Sequence, residues 1–544
     1  MKPTSNLVML CAAMTSAAAA SDDASTSTIQ FSPKLTADDA TTVRKSYIGF
    51  GIEMKSFPDY AGRDSSPNAF SAFLLNQIFK ETGGAPLHIR VGGTSMDNMR
   101  YNPALTSKAV DVTGDLDACR LHTYADLGTP WLRSFQNLAP ALAPQFTVQV
   151  PLARKDVDNG VKFAGACIDA LTPGGGGKKR DAADDDDDDD GQARRLSARL
   201  DAFEIGNEPN LYPNSPGSGC RPKPDRSGAW GPSDYVDEWT NYAGTLANRV
   251  GALKNSGAKS WFQTLTLSSH VDHPDQWGLS AIGKGLNNGG YVRTVSQHYY
   301  QADATKDLKG ELLTHNTTVS RMQENFGANI AFAKKNNIPF ILGEVGSAIG
   351  GDGDATNPDL YDTLGAALWT LDFLLHGMSF GIRRVSMQLG TDFRISAWQP
   401  FDTKNHPMAV HGNYYGLIAG ASFVGGDGNL QIRPLDAVDG HPNIVGYAGY
   451  HGGKLSKIAV LNLQVWDGGA GDRPAKDISL AKLGGDTTAD SGITWAGRRW
   501  TAENNGKEYA DGENPVIIGV QNGVPARNIV VKASEAVMVE ILRG

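Results

Sequence analysis

The sequence predicts a (β/α)8 barrel, or TIM barrel, followed by a C-terminal antiparallel β-sandwich domain. Eight short apolar runs alternate with helical patterns over residues 47–419, and such an eightfold alternation is typical of a closed parallel barrel. Over residues 420–544 the pattern changes to short strands separated by glycine-rich turns, which indicates a sandwich. An open doubly wound sheet is the alternative for the first region, but no glycine-rich phosphate loop supports it.

The eight predicted barrel strands are short, apolar and mostly β-branched, as expected for parallel strands buried on both faces. They are Tyr47–Met54, Leu87–Val91, Gln145–Leu152, Ala202–Gly206, Trp261–Leu267, Val292–His298, Pro339–Gly343 and Arg384–Leu389. Helical patterns lie between them, and the clearest covers Asn68–Glu81, where large apolar residues recur at helical spacing.

The second domain is predicted from a separate set of strands. They are Leu430–Leu435, Asn443–Tyr450, Ile458–Leu463, Ile529–Lys532 and Ala536–Leu542. Residues 21–46 are expected to join this domain through a strand at Thr28–Phe31.

Residues 1–20 have the pattern of a secretory signal peptide. Lys2 gives a positive start, Leu7–Met14 an apolar core, and Ala17–Ala20 a cleavage region of small residues. The alternative is an alanine-rich disordered terminus. No later run reaches the roughly 18 apolar residues of a spanning helix. We therefore expect a secreted, extracellular protein with no membrane partner.

A low-complexity acidic insertion, residues 173–195, interrupts the predicted barrel before its fourth strand. Seven aspartates, Asp184–Asp190, dominate the formal net charge of −9. The chain has no basic stripe, so no nucleic-acid partner is expected. His and Cys spacing offers no metal site, and a flexible acidic run lacks the shaped cage that Ca²⁺ needs. We therefore expect neither a metal nor another cofactor.

After removal of the signal, three cysteines remain, Cys119, Cys167 and Cys220. At most one disulfide can form, with three pairings open, and buried thiols are the alternative. Asn316-Thr317-Thr318 is a candidate glycosylation site.

Two glutamates end predicted barrel strands. Glu208 follows the fourth strand in FEIGNEPN, and Glu344 follows the seventh in ILGEVGS. Hydrolysis of a glycoside with retention of configuration needs a protonated and an ionised carboxyl group about 5 to 5.5 Å apart. Barrel strands place their C-terminal ends around one mouth, so Glu208 is expected to be the general acid/base and Glu344 the nucleophile. Alternatively, each glutamate is a polar residue that merely ends a strand.

Polar side chains at other strand ends are candidates for supporting roles, each with a structural alternative. Asn207 is expected to bind a sugar 2-hydroxyl. Arg90 and His298 are expected to support the nucleophile, since an adjacent cation lowers the pKa of a carboxyl group. Tyr300 is expected to bind the nucleophile, Glu53 a sugar hydroxyl, and Trp398 a sugar face. The alternatives are a buried ion pair for Arg90, core aromatics for one tyrosine and for Trp398, and a surface position for Glu53.

At these residues the chain resembles glycoside hydrolase family 79, the β-glucuronidase and heparanase family. The matching motifs run in order along the chain: IRVGGTSMD (Ile89–Asp97), FEIGNEPN (Phe203–Asn210), QHYY (Gln297–Tyr300) and ILGEVGS (Ile341–Ser347). The resemblance implies that the acid/base falls on Glu208, the nucleophile on Glu344, the sixth-strand tyrosine on Tyr300 and the acidic sugar ligand on Glu53. It also implies a β-domain that combines the C-terminal segment with an N-terminal strand.

The resemblance therefore implies a retaining β-glucuronidase that removes terminal glucuronic acid from a glycan or glycoside, and the signal-peptide pattern predicts that it is secreted. The chain departs from the family pattern after the eighth strand, where LGTDFRISAWQP lacks the tyrosine that holds the uronate carboxylate. Either Arg394 pairs with the carboxylate there, or the sugar is not glucuronic acid. The alternatives are a retaining β-glycosidase of the same clan acting on a neutral sugar, and a non-catalytic carbohydrate-binding protein.

Overall fold

The computed structural model describes residues 35, 40–63, 66–113, 120–172, 199–214, 225–268, 277, 283–349, 357–435, 442–466, 481–484, 493–495, 498–510, 520–521, 524–525, 531 and 533–540. The proposed signal peptide (1–20), the predicted strand Thr28–Phe31, the acidic insertion (173–195), Cys119 and Cys220 lie outside the described residues. No helix among the described residues is long and apolar enough to cross a membrane.

Eight parallel strands close into a barrel, which confirms the predicted fold class. Each pairs with its neighbours in chain order, and the last pairs with the first. The first to eighth barrel strands are Ile48–Glu53, His88–Gly92, Gln145–Val150, Leu200–Ile205, Phe262–Leu267, Val292–Asp303, Phe340–Ile349 and Arg384–Leu389. The sixth and seventh strands continue beyond their predicted ends, and they remain paired as far as Asp303 and Ile349. These two strands therefore extend the barrel wall past the level of Glu344.

Helices cover the outside of the barrel. The α-helices are Phe57–Ala61, Ala69–Glu81, Ser134–Asn137, Val157–Leu171, Pro232–Arg249, Gly251–Asn255, Leu308–Glu311, His315–Lys335, Leu364–Phe380 and Gly412–Val424. Short 3-10 helices span Lys45–Tyr47, Met54–Ser56, Met96–Asn98, Arg120–His122, Thr129–Arg133, Pro140–Leu142, Pro209–Asn214 and Pro358–Leu360.

Local sequence sets several helix limits. Asn68 caps the helix Ala69–Glu81 by accepting a 3.0 Å hydrogen bond from the Ser71 backbone N–H, as its side chain favours at that position. Leu364–Phe380 is apolar on nearly all sides, and it is accordingly buried. The free-energy gain from burying apolar surface, roughly 25 cal/mol per Å², holds such helices against the barrel.

The second domain is an antiparallel sheet of nine described strands. In spatial order they are Thr41–Val43, Leu430–Pro434, Ile444–His451, Lys454–Asn462, Glu535–Glu540, Ala481–Gly484, Thr494–Trp495, Arg498–Trp500 and Glu508–Ala510. Strand Thr41–Val43 pairs with Leu430–Pro434, so a segment before the barrel completes this sheet. Alternate residues of its central strands are buried on opposite faces of this sheet: Tyr447, Leu461 and Met538 join the main core, whereas Ala448, Ile458 and Val539 form a second cluster.

Shorter sheets accompany these two. Strands Met99–Tyr101, Ala125–Leu127 and Val110–Val112 form a three-stranded sheet. Trp398–Gln399 pairs with Ala409–Val410, and Val520–Gln521 pairs with Val524–Pro525.

A buried polar cluster joins the barrel to the sheet. Asp372, fully buried in the helix Leu364–Phe380, accepts a 3.0 Å hydrogen bond from the Tyr447 hydroxyl of the second domain. The Nδ1 atom of His315 lies 2.9 Å from the other Asp372 oxygen. The carboxylate is therefore hydrogen-bonded on both oxygens, which a buried charge requires.

Two of the sequence candidates outside the site have described positions. Cys167 is fully buried in the helix Val157–Leu171, and burial raises the pKa of its thiol well above the ordinary value. Asn316 is exposed near the start of the helix His315–Lys335, as a glycan acceptor has to be.

Candidate active site

Glu208 and Glu344 face each other at the mouth of the barrel. Glu208 follows the fourth strand, and Glu344 lies within the seventh. One carboxylate oxygen of each, together with a ring nitrogen of His298, lies within 4.8 Å of the others. The predicted pair therefore meets, although 136 residues separate the two glutamates in sequence.

The backbone at Glu208 is held in an uncommon conformation. Its φ is 46°, in the left-handed region that residues with a Cβ seldom adopt. The Glu208 N–H donates a 3.0 Å hydrogen bond to the Thr266 carbonyl of the fifth strand. The neighbouring strand thus fixes the direction in which this carboxyl group points.

Glu344 is buried and hydrogen-bonded on both oxygens. Tyr300 donates from its hydroxyl to Oε2 at 2.8 Å, and Arg90 donates from Nη1 to Oε1. Burial by itself would raise the pKa of Glu344, but the charges of His298 and Arg90 and the Tyr300 hydrogen bond lower it below its ordinary value. Glu344 is therefore kept ionised.

His298 lies between the two glutamates. Its Nδ1 atom is 3.0 Å from Glu208 Oε1 and 3.7 Å from Glu344 Oε2. Burial alone would lower the pKa of this imidazole, but the charge of Glu344 and the hydrogen bond to Glu208 raise it above its ordinary value. The ring therefore favours its cationic form, which places a positive charge between two acids.

Arg90 contacts more than Glu344. Its Nη2 atom donates a 2.8 Å hydrogen bond to Oδ1 of Asn207. This contact leaves the Asn207 amide nitrogen without a protein acceptor among the described residues. That nitrogen is free to donate to a ligand hydroxyl at the mouth.

Glu53 lies at the end of the first strand and is almost fully buried, so the surface position is wrong. Its carboxylate accepts a 2.9 Å hydrogen bond from the Ser95 backbone N–H and another from the Ser95 hydroxyl. Burial and the charge of Glu344 raise the pKa of Glu53 to about 7. Gly93 makes this position possible, because a Cβ there would collide with the Glu53 carboxylate.

Trp398 is not at the mouth, so the prediction that it contacts a sugar is wrong. Its ring is fully buried, packs against Phe50 and Tyr60, and donates a 3.0 Å hydrogen bond to Ser71 Oγ. A large apolar ring gains more from this core position than from partial exposure on a loop. The alternative, a packing tryptophan, describes it correctly.

Arg394 lies on the exposed side of the loop that follows the eighth strand. It forms no ion pair with another described residue. Its neighbour Ile395 faces Gly346 and Tyr300 beside Glu344, so the loop borders the mouth. Arg394 is near the site along the chain, and its side chain is exposed.

The sequence reasoning missed a layer of polar residues beneath the mouth. Glu204, four residues before Glu208, is fully buried and forms an ion pair with Arg90. Asp97 is also buried, accepting 3.2 Å and 2.6 Å hydrogen bonds from the Asn207 N–H and the Tyr212 hydroxyl. The signal was available, because an acid inside an apolar barrel strand is costly unless it is paired.

The grouping of Glu208, His298 and Glu344 also has the spacing of a metal site. Two observations oppose that interpretation. Tyr300 and Arg90 already donate to both oxygens of Glu344, and the Arg90 guanidinium adds a positive charge that repels a cation. The donor set fits acid–base chemistry better than metal binding.

The chain is similar to several known proteins. Residues 446–538 match the family model described as Glycosyl hydrolase family 79 C-terminal beta domain. A beta-glucuronidase of Neurospora crassa is 28% identical over 468 residues, which cover 80% of this chain and 75% of that protein. A beta-glucuronidase of Aspergillus niger is 28% identical over 476 residues, which cover 84% and 78%.

A solved structure shares the fold along nearly the whole chain. It is the 4-O-alpha-L-rhamnosyl-beta-D-glucuronidase of Fusarium oxysporum 12S, in complex with Rha-GlcA. The TM-score is 0.71 at 20% identity, with 94% of this chain and 100% of the other covered.

Proposed function

From the premise that this chain belongs to glycoside hydrolase family 79, we propose that it is a retaining β-glucuronidase. Glu208 is the general acid/base and Glu344 is the nucleophile. The substrate is a glycan or glycoside that carries a terminal glucuronic acid.

The observation that carries this proposal is the approach of the two carboxylates. Their nearest ligand oxygens lie within 4.8 Å. Retaining enzymes hold the two carboxyl groups about 5 to 5.5 Å apart, whereas inverting enzymes separate them by about 6.5 to 9.5 Å to admit a water molecule. The spacing supports direct attack by one carboxylate.

The surroundings of the two glutamates support the assignment of roles. Glu344 is buried against a cation and two hydrogen-bond donors, which favour the carboxylate that attacks the anomeric carbon. The Glu208 side chain keeps 15% of its surface exposed, and its carboxylate is hydrogen-bonded to His298. Such a group can exchange its proton with an incoming water molecule.

The reaction then proceeds in two displacements. Glu208 donates its proton to the glycosidic oxygen as that oxygen leaves the anomeric carbon, and Glu344 bonds to the same carbon. In the second step Glu208 removes a proton from water, the water oxygen attacks the anomeric carbon, and the bond to Glu344 breaks. Configuration is inverted twice and therefore retained.

The sugar contacts are assigned by chemistry and by the relatives. The Neurospora and Aspergillus relatives are named beta-glucuronidases, which supports glucuronic acid as the sugar bound at the mouth. We assign the Asn207 amide to the 2-hydroxyl, Glu53 to another hydroxyl and Arg394 to the uronate carboxylate. A neutral sugar is the second candidate, favoured by the lack of a tyrosine in the stretch from Leu389 to Pro400.

The experiment is turnover of matched chromogenic β-glycosides, namely glucuronide, glucoside, galactoside and xyloside. We expect the glucuronide to be hydrolysed with the highest kcat/KM, and NMR to find the β-anomer as the first sugar product. Glu344→Gln should abolish turnover, whereas Glu208→Ala should still accumulate a glycosyl-enzyme from substrates with good leaving groups. A first-formed α-anomer would overturn the mechanism, and preference for a neutral glycoside would overturn the substrate.

We also propose that the protein is secreted, on the basis of the pattern in residues 1–20. Expression in a fungal host followed by N-terminal sequencing tests this. A mature chain in the medium that begins near residue 21 is expected, and retention of Met1 inside the cell would overturn it.

A further inference from the structure

A buried carboxylate outside the catalytic pair shares its arginine with the nucleophile. Arg90 donates from Nε to Oε1 of Glu204 at 2.9 Å and from Nη2 to the same oxygen, while Nη1 donates to Glu344. Only 2% of Arg90 and none of Glu204 is exposed. One guanidinium thus lies between two carboxylates in a region without solvent.

Glu204 cannot act on substrate itself. Its second oxygen accepts a hydrogen bond from Gln263 Nε2, and Thr294 in turn donates to Gln263 at 3.1 Å. Register places Glu204 beside Gln263 on the fifth strand and beside Gln149 on the third. The carboxylate is therefore fixed below the mouth, with Arg90 between it and Glu344.

We propose that Glu204 is a positioning residue that orients Arg90 and limits how strongly Arg90 neutralises Glu344. This inference deepens the proposed glycosidase function and rests on it. Two hydrogen bonds to Glu204 fix the guanidinium plane, so that Nη1 is directed at the nucleophile and Nη2 at Asn207. The Glu204 charge also offsets part of the Arg90 charge that Glu344 experiences.

The balance between the Arg90 and Glu204 charges matters because a nucleophile has to be ionised yet reactive. An arginine paired with Glu344 alone would stabilise its carboxylate more in the resting enzyme than in the transition state, where the negative charge is lost to the new bond. A second carboxylate on the far side of the guanidinium reduces that ground-state stabilisation.

Every charged or titratable group around Glu344 bears on the expected pH effect. Besides Arg90 and Glu204, these groups are His298 and Tyr300 on the sixth strand, Glu208 after the fourth, and Glu53 on the first. A substitution at Glu204 leaves these other groups in place. The shift it causes therefore reports the Glu204 charge acting through Arg90.

The test is Glu204→Gln, which preserves shape and an acceptor oxygen but removes the charge. Removal of a nearby negative charge lowers the pKa of Glu344, so the acid limb of kcat/KM should move to lower pH. The maximum of kcat should fall, by about tenfold to a hundredfold, because the unopposed Arg90 charge stabilises the Glu344 carboxylate more in the resting enzyme than in the transition state. An unshifted acid limb with unchanged kcat, whatever the thermal stability, would overturn the proposal.

Asp201→Asn is the matched control. Asp201 lies three residues earlier on the same strand, is also buried, and pairs with Arg293 at 2.9 Å and Arg384 at 3.0 Å rather than with Arg90. This variant should lower the unfolding temperature but leave the acid limb in place. If both variants shift the limb equally, the effect is structural and the positioning role is wrong.

A second readout separates this inference from the proposed function. Carbodiimide-promoted coupling of an amine to Glu344, followed by peptide mass spectrometry across pH, reports the ionisation of Glu344 without turnover. If the wild type hydrolyses no glucuronide, the proposed substrate fails, yet Glu204→Gln should still shift the labelling profile to lower pH. An unshifted labelling profile would refute the inference by itself.

Discussion

The Nδ1 atom of His298 lies 3.0 Å from Oε1 of Glu208. The same atom is 3.7 Å from Oε2 of Glu344, so one imidazole lies close to both carboxyl groups. A cation at this position stabilises the ionised form of Glu344. The pH dependence of the reaction should therefore respond to His298 as strongly as to the glutamates themselves.

His298→Asn should move the acid limb of kcat/KM to higher pH. The imidazolium lowers the pKa of Glu344, so its loss requires a higher pH to ionise the nucleophile. We expect kcat/KM at pH 5 to fall at least about tenfold. A pH series with a chromogenic β-glucuronide measures this shift, and an acid limb at the wild-type position would show that His298 stays neutral.

Gly346→Ala should mimic Tyr300→Phe. A Cβ at residue 346 would lie 2.8 Å from Cδ1 of Tyr300 and 3.1 Å from Cδ1 of Ile395, too close for the ring to remain in place. Both variants remove the hydrogen bond to Glu344. Each should therefore lower kcat by about tenfold or more and move the acid limb of kcat/KM to higher pH. In a double-mutant cycle the second substitution should reduce kcat little further. Fully additive losses of kcat would show that the two residues act independently.

Arg394→Ala should discriminate between sugars. An exposed guanidinium beside the mouth can pair with a uronate carboxylate, and such a pair is formed only with a uronide. We expect KM for a glucuronide to rise about tenfold or more, which corresponds to roughly 1.4 kcal/mol. Lys404→Ala, an exposed lysine that also follows the eighth strand in sequence, serves as a control for loss of surface charge. An equal change for glucoside and glucuronide would assign Arg394 a structural role.

Chelation should leave activity unchanged. Arg90 and Tyr300 already satisfy both oxygens of Glu344, so Glu208, His298 and Glu344 do not form a free ligand set. Dialysis against EDTA followed by assay, with and without added Zn²⁺ or Mn²⁺, tests this. Loss of activity that metal restores would contradict it.

His315→Asn should destabilise the protein most at acidic pH. The charge of Asp372 and a hydrogen bond to it outweigh burial and raise the pKa of His315. Its stabilisation is therefore complete below the unfolded pKa of about 6.5 and is lost as pH rises through the higher folded value. We expect a loss of about 1.5 to 3 kcal/mol at pH 5 and less at pH 9.

His376 needs separate treatment in that experiment. Burial lowers its pKa to about 4, so it destabilises the folded state as pH falls from about 6.5 to 4. Because the His315 charge contributes to that lowering, the comparison of wild type with His315→Asn is repeated in a His376→Asn background, where this contribution is absent. Denaturant unfolding at several pH values supplies the measurement, and a difference that does not vary with pH would show that His315 is uncharged.

The sequence by itself determined the architecture. Parallel strands buried on both faces have to be apolar and β-branched, so each barrel strand could be located from its own residues. The order of the eight strands follows directly, because each strand is recognised from its own residues. The position of Glu208 and Glu344 at the barrel mouth was predicted from the same strands, since the C-terminal ends of barrel strands share one mouth.

The tertiary structure alone decided which side chains meet. Trp398 and Arg394 lie in one short segment with little to distinguish them, yet the first enters the core and the second faces outward. Glu204 is recognisable in the sequence as an acid within an apolar strand, but only closure of the barrel brings Arg90 against it. Burial and charge pairing depend on residues far apart in sequence, and so do the pKa values of Glu53 and Glu344. The free energy of placing a charge is set by its neighbours in space, which no local pattern specifies.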